Sequence, residues 1–145
     1  MKRLFFFLIL CSVLSLQAQK QTRYERLSTA SGLSQSSIYK IIQDKKGFLW
    51  FATGDGLNRY DGHNFKIYRN DPSDPKTLSG SEIFTVAEDD EGNLWVGTRN
   101  SGLNKIELAT GKITRFTKGP SGQDLSNSIF QVFLISVKAK WAWLF

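Results

Sequence analysis

An all-β chain is what these 145 residues predict: about two and a half four-stranded antiparallel blades of an incomplete β-propeller, after an N-terminal signal helix. Three observations carry the prediction. First, the chain repeats itself. Leu33, Ile38, Asp44, Gly47, Leu49, Trp50 and Thr53 recur 45 positions later as Leu78, Ile83, Asp89, Gly92, Leu94, Trp95 and Thr98. After one inserted residue, Gly56-Leu57-Asn58 recurs as Gly102-Leu103-Asn104. A period of about 40–45 residues is that of a propeller blade. Second, apolar β-formers fall into four short runs in the first copy, 38–42, 48–52, 57–60 and 65–68, which reads as four short strands. Third, turn chemistry separates the runs at matching places in both copies.

Taken in order, residues 1–18 read as a signal peptide. Lys2-Arg3 precedes an apolar run from Leu4 to Leu16 that is shorter than the roughly 18–20 residues of a membrane span, and Ala18 offers a small residue at the cut. A buried core helix, an uncleaved anchor and a lipoprotein acylated at Cys11 are the alternatives. Residues 19–32 form a polar lead-in containing an outer strand, Tyr24 to Leu27, which precedes Leu33-Ser34 as 65–68 precedes Leu78-Ser79. In a closed ring such a strand completes the last blade.

Residues 33–77 are the first repeat and 78–124 the second. In each, a turn joins the first two strands, with Asp44 or Asp89 at its first place and Gly47 or Gly92 at its fourth. The carboxylate there accepts backbone N–H bonds, and glycine takes positive φ without a Cβ clash. Asp61-Gly62 and Thr110-Gly111 punctuate the connection between the third and fourth strands. Trp50 and Trp95, on the second strand, are expected to fill the space between neighbouring blades. Residues 125–145 open as a third copy, LSNSIFQVF, and then depart from the pattern at Leu134, with Lys138 in the place of the turn glycine. They read as a truncated or frameshifted third repeat, with a natural degenerate cap as the alternative.

Composition narrows the function. Cys11 is the only cysteine, so a chain cleaved after residue 18 has neither disulfides nor thiolate metal sites. Cleavage also removes Lys2 and Arg3, lowering the formal charge from +6 to +4 (17 basic, 13 acidic). Lys105, Lys112, Arg115 and Lys118 alternate with apolar residues as solvent-facing strand positions do, and are not read as a nucleic-acid surface. The acidic run 89–93 lacks the spaced ligands and closing Glu of a helical calcium loop, and its counterpart carries Lys45-Lys46; it is read as a turn, and no metal is expected. His63 falls in the Asp61-Gly62 hairpin and is read as an exposed turn residue. The chain has no G-x-S-x-G elbow, H-E-x-x-H pair or phosphate-cradling loop, so no catalytic residue and no cofactor is expected.

The stretch GLSQSSIYKIIQDKKGFLWFATGDGLNRYDG, residues 32–62, and its copy at 78–106 resemble the two-component regulator propeller repeats. These form the periplasmic N-terminal sensor region of Bacteroides-type hybrid histidine kinases. The resemblance covers about residues 20–133 and rests on the tandem D-x-x-G-x-L-W-x-G/A-T and G-L-N motifs. It implies sensing of glycan fragments outside the inner membrane and phosphorelay inside. The phosphoacceptor His, ATP-binding region and receiver Asp of that family have no counterpart among these residues. The chain is therefore expected to be a periplasmic, non-enzymatic piece of such a sensor.

The resemblance further implies an oligosaccharide ligand for the intact protein, with the remaining blades and the kinase part of the same chain as partners. It implies dimerisation, membrane attachment only through a downstream segment, and no direct contact with nucleic acid. A stand-alone propeller binding scaffold and a fragment of a propeller glycosidase are the alternatives. The latter needs an arginine cluster, whereas Arg59, Arg69, Arg99 and Arg115 are scattered. The candidate ligand-binding residues lie after the second strand of each copy. They are Asp55 with Asn58, Arg59 and Tyr60 in the first, and Arg99 and Asn100 with Asn104 in the second. Asp44, Gly47, Trp50, Asp89, Gly92 and Trp95 are read as the structural motif.

Overall fold

The computed structural model describes residues 24–117. The signal peptide and the third repeat of the sequence reading lie outside these residues.

Eight strands follow one another: β1 (Ile38–Gln43), β2 (Leu49–Thr53), β3 (Gly56–Tyr60), β4 (Phe65–Tyr68), β5 (Ile83–Glu88), β6 (Asn93–Thr98), β7 (Leu103–Glu107) and β8 (Ile113–Phe116). They pair antiparallel, in chain order, into two four-stranded sheets, β1-β2-β3-β4 and β5-β6-β7-β8. The expected blades are present, and their registers match. Ile38 faces Thr53 as Ile83 faces Thr98, and each inner strand then shifts by one residue, between Ile38 and Lys40 and between Ile83 and Thr85. Tyr39 and Phe84 are thus the extra residues of two equivalent β-bulges.

The period-2 alternation of the strands decides how the sheets stack. Trp50, Ala52 and Leu57 of the first sheet bury themselves against Ile83, Val86, Leu94, Val96 and Ile106 of the second, with Leu78 from the connecting loop. Residues of opposite parity, Phe51 and Tyr60, turn to the other face of the first sheet and pack with Leu33, Leu27, Leu49 and Phe65. The tryptophan face of one blade therefore meets the Leu94/Val96 face of the next. Trp50 is fully buried and in tilted ring contact with Tyr68 at 5.6 Å, as expected of a residue between blades. Trp95 makes the equivalent contact with Phe116 at 5.7 Å.

One expectation fails. Tyr24–Leu27 is not a strand: the segment runs without regular structure into a 3-10 turn, Thr29–Ser31, and Tyr24 is 89% exposed. A strand exists only where a neighbouring backbone completes its hydrogen bonds, and among the described residues no sheet edge reaches this segment. Leu27 is held instead by its side chain, against the Leu33–Phe51–Tyr60 cluster.

Candidate functional site

The D-x-x-G-x-L-W motif is a hydrogen-bonded latch. Gly47 (φ 91°) closes the β1–β2 turn on the Asp44 carbonyl at 2.9 Å. The Asp44 carboxylate accepts the Lys46 and Phe48 backbone N–H groups at 2.9 and 3.0 Å through Oδ1, and the Trp50 indole Nε1–H at 2.8 Å through Oδ2. Asp89 repeats this with Glu91 N, Asn93 N and Trp95 Nε1 at 3.0, 2.7 and 2.9 Å. The tryptophans pack as expected, and each also donates an indole bond that a packing role does not imply. Its signal was the constant six-residue spacing of Asp and Trp. Burial of Asp89 opposes its ionisation, but the donors from Asn93, Trp95 and Glu91 outweigh it and hold the carboxyl below the usual range.

A second repeated device pins each lead-in to the third strand of its own blade. Asn58 accepts Ser34 N at 2.9 Å and donates to Ser34 Oγ at 2.7 Å, and Thr53 Oγ1 donates to the Gly56 carbonyl at 2.8 Å. Asn104 holds Ser79 the same way, at 2.9 Å for both bonds, and Thr98 donates to Gly102 at 2.8 Å. Both asparagines are fully buried on strands. They were expected in loops facing a ligand; they are internal clamps instead, because a buried amide must spend its donors and acceptor inside the fold.

Arg59 and Tyr60 also belong to β3 rather than to a loop. The Arg59 guanidinium lies over the Phe48 ring at 4.6 Å. Tyr60 is buried and donates to the Gly62 carbonyl at 2.8 Å; desolvation, then the Glu25 carboxylate, raises its pKa. Arg115, expected to face solvent, binds the β4–β5 connection instead. Its Nε donates to the Thr77 carbonyl at 2.8 Å and its Nη2 to the Asp74 carbonyl at 2.8 Å. His63 is exposed in its hairpin, as expected, with its backbone N–H bonded to Asp61 Oδ1 at 2.9 Å. The backbone bonds from Asn64 and His63 hold the Asp61 carboxyl below its ordinary value.

Three of the candidates remain at the surface, at the end of the sheets carrying the β2–β3 and β6–β7 turns. Asp55 is in a two-bond pair with Arg69, at 3.1 Å to Nε and 2.8 Å to Nη2, and that bond raises the arginine's pKa. Arg99 pairs with Glu82 at 2.7 Å, and Asn100 is exposed beside it. The inner strands add what the sequence reading missed. Tyr39 and Phe84, the two bulge residues, stack across the blades with ring centroids 4.5 Å apart at 17°, and Arg99 stands 5.9 Å from the Phe84 ring. The signal available was an aromatic residue straight after the repeated isoleucine in both copies. Among the described residues, no group of three or more His, Cys, Asp or Glu side chains is arranged to hold a metal ion.

The family model of the two component regulator propeller matches residues 32–55 and 77–100, which hold both lead-ins and both Asp–Trp latches. One such stretch lies in each blade, so each blade is similar to a two component regulator propeller repeat. Over 77 residues the chain is 47% identical to histidine kinase P4 of Formosa agariphila, covering 51% of this chain and 6% of that protein. It superposes on the crystal structure of the extracellular domain of a hybrid two component system from B. thetaiotaomicron with a TM-score of 0.63 and 34% identity. That match covers 71% of this chain and 14% of the other. The extracellular domain of a one component system from the same organism gives a TM-score of 0.48 at 27% identity, over 66% of this chain and 14% of that one. The chain thus spans a small part of the length of the proteins it matches. Its two repeats carry two kinds of repeated polar residue, latch and clamp, and both serve the fold.

Proposed function

We propose that this chain is part of the ligand-sensing propeller of an exported two-component sensor histidine kinase, and that the intact propeller reads oligosaccharides. The observation that supports it most is the superposition on an extracellular domain of a hybrid two component system, joined to the sequence identity with a histidine kinase. The chemistry of the described blades agrees with a recognition role. Their buried polar residues are spent on the fold, and their turn end offers aromatic rings and ion-paired side chains of the kind that hold hydroxylated ligands. Phosphoryl transfer belongs to another part of such a sensor, and these residues contribute binding and position. A ligand touching several blades meets only a sector here, so the chain alone binds more weakly than a whole ring.

Two experiments test the reading. Sequencing the reading frame and the genomic DNA that follows it should reveal further propeller repeats and a kinase core; their absence overturns the sensor assignment. Calorimetric titration of the 145-residue chain, and of a ring completed with further repeats, against an oligosaccharide panel should show tighter binding by the ring. Failure of every saccharide to bind either protein overturns the oligosaccharide assignment.

A further inference from the structure

We infer that the tryptophan face of the second sheet is the docking site for residues 125–132 of the same chain, with Leu125, Ile129 and Val132 lying on Trp95, Leu103 and Phe116.

The joint between the two described sheets supplies the template. There the Trp50, Ala52 and Leu57 face is covered in part by the lead-in and inner strand of the following repeat, whose Leu78, Ile83 and Val86 are fully buried in the joint. A backbone bond fixes their approach, from the Gly56 N–H to the Ser81 carbonyl at 2.6 Å. The second sheet builds the same face in the same register. Trp95 lies opposite Lys105 and Gly97 opposite Leu103, as Trp50 lies opposite Arg59 and Ala52 opposite Leu57. Phe116 takes the place of Tyr68 beside the indole. Among the described residues no third sheet meets this face, and Leu103 is only half-buried where Leu57 is sealed.

The chain that follows carries the other half of the joint. Leu78 comes ten positions after Tyr68, the end of β4, and Leu125 nine positions after Phe116, the end of β8, so the connection is of nearly the same length. From there Leu125-Ser126-Asn127-Ser128-Ile129-Phe130-Gln131-Val132 keeps the pattern of 78–86, one residue shorter before the isoleucine. Ser128 stands where Ser81 does, and Gly102 where Gly56 does, so the Ser128 carbonyl is the acceptor for the Gly102 N–H. Ile38 and Ile41 show the state of these positions with no tryptophan face in front of them. They are 39% and 53% exposed, whereas Ile83 and Val86 at the same places are fully buried. Docking therefore removes apolar surface from water on both sides of the joint, as stacked repeats require. After Phe133 the sequence has no counterpart of the Asp44–Gly47 turn, so the segment acts as a cap strand on the second blade.

The competing occupant is a second copy, whose Ile38/Ile41 face could take the same place in a head-to-tail contact. The test uses the 145-residue chain, mixing methyl-labelled and unlabelled protein so that nuclear Overhauser contacts within one chain are separated from those between chains. The rings of Trp95 and Phe116 should contact the methyls of Ile129 and Val132 within one chain. In the double variant Ile129→Asp/Val132→Asp, the Gly102 amide should exchange with solvent about tenfold faster or more, while the Gly56 amide is unchanged. Contacts between chains from Trp95 to the Ile38 and Ile41 methyls assign the face to a second copy and overturn the inference. Absence of the Ile129 and Val132 contacts, or unaltered Gly102 exchange in the double variant, overturns it as well.

Discussion

Trp50 and Asp44 show how a single residue can hold two roles. The ring fills the gap between the sheets and its Nε1–H satisfies a carboxylate that also holds two backbone N–H groups. Trp50→Phe keeps most of the apolar contact but removes the donor, so we expect a loss of roughly 1–3 kcal/mol, the cost of a buried acceptor losing a partner. Asp44→Ala frees the turn as well and should cost more; urea midpoints of the two variants rank them. Asp89 adds a pH dependence. Its folded pKa lies below its unfolded value near 3.9, so its contribution is complete above that value and is lost as pH falls through the folded pKa. Stability measured from pH 5 to pH 2 should therefore drop on acidification, and Asp89→Asn should flatten the drop; an unchanged slope would contradict this. The turn was legible in the sequence because Asp and Gly have few other reasons to recur three positions apart. The Asn58 and Asn104 clamps were not, since an asparagine beside a turn looks alike whether it faces water or Ser34.

At the scale of elements, the strands were legible to within a residue or two, because alternating apolar runs and glycine-marked turns each have one geometric solution. The outer strand at Tyr24–Leu27 was not, because strand formation there depends on a partner that local sequence does not encode. The lead-in clamp makes an element-level prediction. Asn58→Leu removes the bonds to Ser34 N and Oγ, strands buried hydroxyls, and should cost about 2–4 kcal/mol, whereas the exposed Asn100→Ala should stay within about 0.5 kcal/mol. Chemical unfolding of both distinguishes a clamp from a loop residue; equal effects would show that burial of Asn58 is energetically idle. The aromatic pair at the bulges escaped the sequence reading for a related reason. Tyr39 and Phe84 meet only because two bulges fall at the same height on adjacent inner strands.

In the molecule as a whole, the two blades are joined by contacts that reach across one repeat. Lys45 is the plainest: its backbone N–H bonds Glu88 at 2.9 Å, and its ammonium bonds the carbonyls of Asp89 and Asp90 at 2.9 and 3.0 Å. No reading of the sequence could couple a lysine in one turn to carbonyls in the next. At the opposite extreme, β1 is a sheet edge with Ile41 53% exposed, alongside the partly wet Ile38 and Tyr39. Such an edge invites pairing with another chain. We expect concentration-dependent self-association in sedimentation velocity, reduced by Ile41→Lys; a monomer at all concentrations would refute it. The Ser34–Asn58 clamp has a different consequence, in time rather than in space. It closes over 24 positions, entirely from residues already synthesised when β3 appears, and the Gly56 N–H then waits for the Ser81 carbonyl of the following lead-in at 2.6 Å. A chain emerging amino end first can thus set each clamp before the next repeat is made, while the Trp50 face of the sheet and the Lys45 bonds wait for that repeat to arrive.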